Sequence, residues 1–581
     1  MSYNIKNIFK AMSVIACGAL VFASCSDTWD DHYKSGIPTT EHSYAGTTMQ
    51  YLEHNASDFA DVIKAAGLGP KLSSSQVFTL LAPMDGTFNK DSLLDLIQNG
   101  KAKQVRERFI ENHVLLYATS LDNEEKTLSL LNKKKIQFGT LANDSIGSAT
   151  VAEPNIACNN GIVHLLNGSV RYVPSVFEQI ELSHENYLAR TGYADEDVVD
   201  MYNFLKVYDA DSLDERQSVE IGTDSMDNTV YSDSVMIRSN KVLRSLRAYL
   251  YREDSTYWAF LPTPEAYKER VDTVKSFFNF NNALNDQEEF RDSVQNYFAN
   301  YYTMYDFFIN RNVNAHYTDS LTTTTYGMSY YGAYNWKDDV YYKPFEGDGV
   351  LTKATNQIEC SNGRLYEFDE VPNTIYDSFF RKIQVEATNG GIVPETNGKS
   401  TDWTITNSFN ATYNALNNDT VSNGYLYVKE VQQSRNVQLS FKLPNTLSGT
   451  YDVYVKLLPY ALMDTTDTVE MRKPVQFRAN MYEADAKNVI STKETRFTSP
   501  EGGRNFHSNP FRADTIFLGT YTFKYCYRHT GQVGAYLQLQ GYLTTKDRAN
   551  YTRNMLIDFI LLKPHREEAT EPEQENEVGE E

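Results

Sequence analysis

Cys25 has the clearest reactive setting in the chain. It follows Phe22-Ala23-Ser24, and upstream Lys6 and Lys10 flank an apolar run from Ala11 to Phe22. That run is shorter than the ~20 residues a membrane-spanning helix needs, so residues 1–24 read as a secretory signal. Small residues at 23 and 24 suit a peptidase that cleaves before a cysteine, whose thiol and new amino group are then acylated. Several acyl chains, each buried CH₂ contributing roughly 0.8 kcal/mol, make a stable anchor where a single chain is marginal. With Cys17 lost in the signal, Cys158, Cys360 and Cys526 remain, an odd number that cannot complete a disulfide framework. They read as buried thiols. No His/Cys spacing suggests zinc, and there is no Gly-rich phosphate loop or Gly-x-Ser-x-Gly elbow. His113 shares an apolar helical stripe with Val105, Phe109, Ile110 and Val114, which makes it a hydrogen-bonded core histidine. No catalytic residue emerges, and the chain reads as non-enzymatic, although paired carboxylates leave no fixed spacing in sequence.

Charge narrows the partners. The formal net charge is −22, and removing the two lysines of residues 1–24 takes it to −22 − 2 = −24. Such a surface repels phosphate backbones, and no basic cluster is present, so nucleic acid is excluded as a partner. Ser26-Asp27-Thr28-Trp29-Asp30-Asp31-His32 follows the anchor directly. Asp27, Asp30 and Asp31 resemble the acidic export signal of Bacteroidota surface lipoproteins, which implies an outer-membrane protein facing the cell exterior. Residues 25–46 serve as its tether. At the other end, residues 566–581 carry eight glutamates against one arginine and read as a disordered acidic tail.

Between these ends a motif pair occurs twice. The first copy runs from Val77 to Phe88 through Pro83, then gives Cys158-Asn159-Asn160-Gly161-Ile162-Val163-His164. The second runs from Thr256 to Tyr267 through Pro262, then gives Cys360-Ser361-Asn362-Gly363-Arg364-Leu365-Tyr366. In each, an apolar strand meets a proline, an aromatic follows five places on, and a Cys-x-Asn-Gly turn opens another apolar strand. The pairing resembles the fasciclin family, whose domains are α+β binding and adhesion modules. Asn112-His113-Val114 stands where that family places its tyrosine-histidine pair, and Tyr302 stands at the matching place in the second copy. The proline-to-asparagine interval is 160 − 83 = 77 in one and 362 − 262 = 100 in the other, so the second copy is divergent and carries an insertion. The expected domains are residues 47–175 and 195–380. Met49, Leu52, Phe59, Val62, Ile63 and Ala66 predict a helix ending at Gly67, and Val294, Phe298, Tyr301, Tyr302 and Tyr305 another. Gly161 and Gly363 are expected at positive φ.

The insertion runs through Tyr326 to Trp336 and on to Phe345, dense in aromatics without helical period. Tyr330, Tyr331, Tyr334 and Trp336 are its candidate ligand or partner contacts, since exposed rings build sugar platforms and protein interfaces.

From residue 383 to 565 the period becomes two. Val437, Leu439, Phe441 and Leu443 alternate with polar residues, as do Tyr451 to Leu457, Val475 to Met481 and Met555 to Leu561, which predicts an all-β sandwich. Its opening Ile383-Gln384-Val385-Glu386-Ala387 and closing Leu556-Ile557-Asp558-Phe559-Ile560 are similar to jelly-roll carbohydrate-binding modules. That resemblance implies a structural calcium shared by Glu386 and Asp558, and no other cofactor. The expected function is glycan capture, or an accessory role beside a TonB-dependent outer-membrane transporter, with polysaccharide or that transporter complex as partner. The alternative is adhesion to host or neighbouring cells.

Overall fold

The computed structural model describes residues 42–566 apart from 214–218, 224–228, 234–235, 313–319, 327–339, 389–391, 394–400, 407–420, 422–423, 432, 434–435, 463–471, 529–530 and 532. The chain divides into two compact units. One gathers the described residues through Glu178 with Tyr251–Asp254 and Cys360–Gly363; the other gathers Gln179–Leu250, Ser255–Glu359 and the described residues from Arg364 on.

The motif strands are the centre of the first unit. β1 (Phe78–Pro83) and β7 (Gly161–Leu166) are buried at every position and pair in parallel, Phe78 opposite Gly161 and Pro83 opposite Leu166. A strand covered on both faces is apolar throughout, which is why each motif reads as an unbroken hydrophobic run. Around them lie β2 (Val114–Leu115), β3 (Lys126–Ser129), β4 (Lys135–Phe138), β5 (Ser145–Ile146) and β6 (Ala149–Cys158), in the order β2-β1-β7-β6-β5-β4-β3. Helix α1 (Thr48–Asn55) and Ser57–Ala65 bury Met49, Leu52, Phe59, Val62 and Ile63 in one core with Leu80 and Val163. The single helix expected here is two, broken at Ala56, whose φ of −149° is not helical. The second segment does end at Gly67, which sits at φ 81°. Residues 42–46, expected as tether, join the first unit: Ser43 bridges Ala157, and the Tyr44 N–H donates to the Ala157 carbonyl at 2.8 Å.

The second repeat reproduces the strand order. β8 (Tyr257–Pro262), β9 (Phe308–Asn310), β10 (Asn356–Cys360) and β11 (Gly363–Phe368) run β9-β8-β11-β10, matching β2-β1-β7-β6. Its additional length forms ladders the sequence did not announce. Asp209–Leu213 pairs with Met236–Asn240, Val219–Thr223 with Thr229–Asp233, and Ser320–Thr322 with Val340–Tyr342.

From residue 383 on, the described residues form two antiparallel sheets of six strands each, which follow the period-two reading. Val437–Leu443 buries every second residue, as does Ala535–Gly541 opposite it. The second repeat and this β region are joined within their unit by short-range bonds. The Asn279 N–H donates to Ser448 Oγ at 2.9 Å, the Cys526 N–H to the Asn279 carbonyl at 2.6 Å, and Phe380 meets Tyr451 edge-on at 4.9 Å. Cys158 and Cys526 are buried, which pushes both thiols up to about 12; Cys360 is only half-buried.

Candidate functional site

Of the residues singled out in sequence, Cys25, Asp27, Asp30 and Asp31 lie outside the described residues, as do Tyr330, Tyr331, Tyr334 and Trp336. The described flanks of the aromatic insertion divide its rings. Tyr341 turns its hydroxyl inward to the Asp306 carbonyl at 3.1 Å, while Tyr342 and Phe345 are exposed. Among the described residues no helix is long and apolar enough to cross a membrane.

Glu386 and Asp558 lie on paired strands, Glu386 opposite Phe559. Asp558 is fully buried at a bulge where the last strand, Met555–Pro564, meets Thr450–Leu458, and its Oδ2 lies 3.1 Å from Lys456 Nζ. A buried carboxylate needs a counter-charge, and this ammonium supplies one. Glu386 Oε1 accepts from Gln384 Nε2 at 2.6 Å. Among the described residues no three His, Cys, Asp or Glu side chains gather to hold a metal ion.

The Asn-Gly turns are structural, and each ties its strand to the start of a helix. Asn160 is buried; its Oδ1 accepts the Thr48 N–H at 2.7 Å at the start of α1, and its Nδ2 donates to the Leu72 and Ser74 carbonyls at 3.0 and 2.9 Å. Asn362 Oδ1 accepts the Val176 N–H at 2.8 Å at the start of α2 (Val176–Thr191), and its Nδ2 donates to the Arg252 carbonyl at 2.9 Å. The preceding residue matches too: the Asn159 N–H donates to the Gly46 carbonyl at 2.8 Å and the Ser361 N–H to Pro174 at 2.9 Å. Both helices open on a capping box, Thr47 with Gln50 and Ser175 with Glu178, in which each partner accepts the other's backbone N–H. The cap of α2 thus stands to the second Asn-Gly turn as the cap of α1 stands to the first. Gly161 and Gly363 sit at φ 150° and 148°, as expected of them. A Cβ on Gly161 would lie 1.9 Å from the Phe78 carbonyl oxygen, so only glycine fits against β1.

Near the caps, Lys134 is buried with its ammonium 3.1 Å from Glu178 Oε2, 2.6 Å from Glu253 Oε1 and 3.0 Å from Ser361 Oγ. One cation thus binds three separate stretches of the first unit. Glu178 is held below the usual carboxylate range by Lys134, the Tyr172 hydroxyl and the Ser175 N–H, which together outweigh the opposing effect of burial.

His113 and His164 are fully buried. His113 Nε2 accepts the Val170 N–H at 2.8 Å, and its Nδ1 faces the Phe109 carbonyl at 2.7 Å. His164 is reversed, with Nδ1 accepting the Asn155 N–H at 3.3 Å and Nε2 facing the Thr119 carbonyl at 3.0 Å. One N–H in and one carbonyl out is a pattern only the neutral ring satisfies. Burial lowers both pKa values to about 4.

An open cleft of about 490 Å³ lies elsewhere, in the second unit. Its apolar wall comes from Phe204 on α3 (Met201–Lys206), Tyr208 just beyond that helix, and Tyr297 on α4 (Glu288–Thr303). The three rings close on one another at 5.2, 5.6 and 5.9 Å between centroids. The polar wall is Glu289, Asp292, Ser293, Asn296 and Asn300, all on α4. Asn300 Oδ1 accepts from the Tyr267 hydroxyl at 3.2 Å, which fixes its amide.

Residues 54–169 match the Fasciclin domain model. This segment is a fasciclin domain. Among solved structures, the chain is similar to the domain pair of the insect cell adhesion molecule fasciclin I, at 13% identity and TM-score 0.19, covering 55% of this chain and 97% of that one. It is also similar to a Podospora anserina GH26-CBM35 β-(1,4)-mannanase (12% identity, TM-score 0.16) and to a Paenibacillus xanthan lyase (11%, 0.17). The first covers 33% of this chain and 29% of the enzyme; the second covers 42% and 20%. A search of curated proteins by sequence found no match.

Within the fasciclin domain, the pairing register identifies the counterparts of its two histidines. Thr79 pairs with Leu115, and Trp258, equally far before its proline, pairs with Ile309. Two residues before each partner stand His113 and Phe307, so Phe307, and not Tyr302, is the match. Counting from the two glycines, His164 matches Tyr366. The cleft was missed in sequence because only one of its walls is legible there. Glu289, Asp292, Ser293, Asn296 and Asn300 recur at helical spacing opposite the apolar stripe, but such a row is ordinarily a solvated face. Phe204 and Tyr208 reach it from a separate segment.

Proposed function

We propose that this protein is a non-enzymatic binding protein, anchored by lipid at Cys25 and exported to the outer face of the outer membrane by Asp27, Asp30 and Asp31. In this reading it captures glycan, or serves as accessory subunit of a TonB-dependent glycan uptake system. The fasciclin domain carries the coarser part, since such domains serve cell-adhesion or scaffold-like binding. The β region, read as jelly-roll-like, and the rings Tyr330, Tyr331, Tyr334 and Trp336 are its candidate contacts with polysaccharide or transporter. The fasciclin domain equally favours the second reading, adhesion to host or neighbouring cells. A deletion strain separates them. Capture predicts lost uptake of labelled polysaccharide with unchanged adherence to cell layers; lost adherence with normal uptake would move the assignment to adhesion. Cys25→Ala should release the protein from membranes, and unchanged acyl labelling of that variant would refute the anchor.

A further inference from the structure

We propose that the cleft between α3 and α4 is a binding site for neutral saccharides. This rests on the glycan-capture reading and gives it a location and a ligand class. The two walls differ in chemistry in the way a pyranose does. A sugar ring presents C–H groups on its faces, which pack on aromatic surfaces, and hydroxyls around its edge, which both donate and accept. Phe204, Tyr208 and Tyr297 form the aromatic side, and their mutual edge contacts hold it in shape before any ligand arrives. Beside Tyr297 on the same helix, side chains supply carboxylate, hydroxyl and amide, a mixture able to bracket neighbouring hydroxyls. Among the described residues the side chains of Glu289, Asp292, Ser293 and Asn296 make no hydrogen bond or ion pair with the protein, so their bonding capacity is directed outward.

Charge selects among sugars. Glu289 and Asp292 line the cleft and, among the described residues, no lysine or arginine does, so a uronic acid or a sulfated sugar meets repulsion. The volume lies within the range of small-molecule sites. Because the polar wall is exposed, each site binds weakly, and useful retention of a polymer comes from several contacts along one chain.

The test is isothermal titration of the purified full chain with maltotetraose, cellotetraose and mannotetraose, alongside tetragalacturonate and choline. At least one neutral tetrasaccharide should bind, and tetragalacturonate should not. Tyr297→Ala and Asn296→Ala should each weaken that binding tenfold or more, Asn296→Ala with the melting temperature unchanged because the residue is exposed. Since Tyr297 also packs on its own helix, an unfolded Tyr297→Ala variant would leave Asn296→Ala and Ser293→Ala to decide. Absence of binding by all three neutral tetrasaccharides overturns the proposal, as does binding that survives Asn296→Ala and Ser293→Ala. Choline binding lost in Asp292→Asn, without sugar binding, would identify a cation site and also overturn it. The two readings fail separately: a chain that binds tetrasaccharide in the cleft while the deletion strain takes up polysaccharide normally keeps the site and loses the uptake role.

Discussion

The fasciclin domain keeps two neutral imidazoles in its core where the second repeat has Phe307 and Tyr366. All four side chains are buried, and the surrounding strands run in the same order. The first repeat thus ties loops to its sheet through His113 and His164. The second fills the same places with rings, as where Tyr366 meets Trp258 edge-on at 5.5 Å. What the repeats share is narrower: the Asn-Gly turn, the capping box and the strands between them. A buried backbone N–H at a helix start has few alternatives to an asparagine oxygen, whereas a buried ring position can be filled in several ways. The common frame is therefore the hydrogen-bonded part of the core, and packing and surface are where the repeats part.

The largest break in that frame should come from Gly161→Val. With Phe78 O at 1.9 Å from the new Cβ and φ at 150°, either the parallel pair separates or the backbone strains. Loss of more than about 4 kcal/mol, or failure to fold, is expected in thermal unfolding. A variant melting near wild type would show that the turn is slack.

Acid should separate the repeats next. The two histidines have folded pKa values of about 4 against 6.5 for the free ring. Folding thus favours the neutral form, so their stabilisation is complete above pH 6.5 and is lost as pH falls toward 4. By pH 5 each ring should have cost about 2 kcal/mol. Hydrogen exchange followed from pH 7 to 5 should show Ile162–Leu166 losing protection well before Leu365–Phe368. Equal loss in both would refute the comparison.

The smallest effect sharpens the shared part. Asn160→Ala removes the partner of the Thr48 N–H and of the Ser74 carbonyl and leaves the Leu72 carbonyl only the Thr48 hydroxyl at 3.4 Å; Asn362→Ala removes one bond from the Val176 N–H and one from the Arg252 carbonyl. About 2 kcal/mol is expected for each, a little more for Asn160. A neutral Asn362→Ala in chemical denaturation would mean that the second turn is a relic.

Legibility in sequence followed the same division. Strands buried on both faces, strands of period two and the glycine turns were readable because each imposes a local pattern. The capping box of α2 is also written locally, in Ser175 and Glu178. The contact of Asp558 with Lys456 has no local pattern in sequence, since it forms where a bulge shifts the register. The cleft depends on Phe204 and Tyr208 arriving beside α4, a tertiary fact without a local pattern.

Hydrogen exchange of the full chain with and without a neutral tetrasaccharide that binds it tests the division of labour between the repeats most directly. Slowed exchange confined to Met201–Tyr208 and Glu288–Thr303, with the fasciclin domain unchanged, is the predicted result. Protection within residues 54–169, or none in the second repeat, would contradict it.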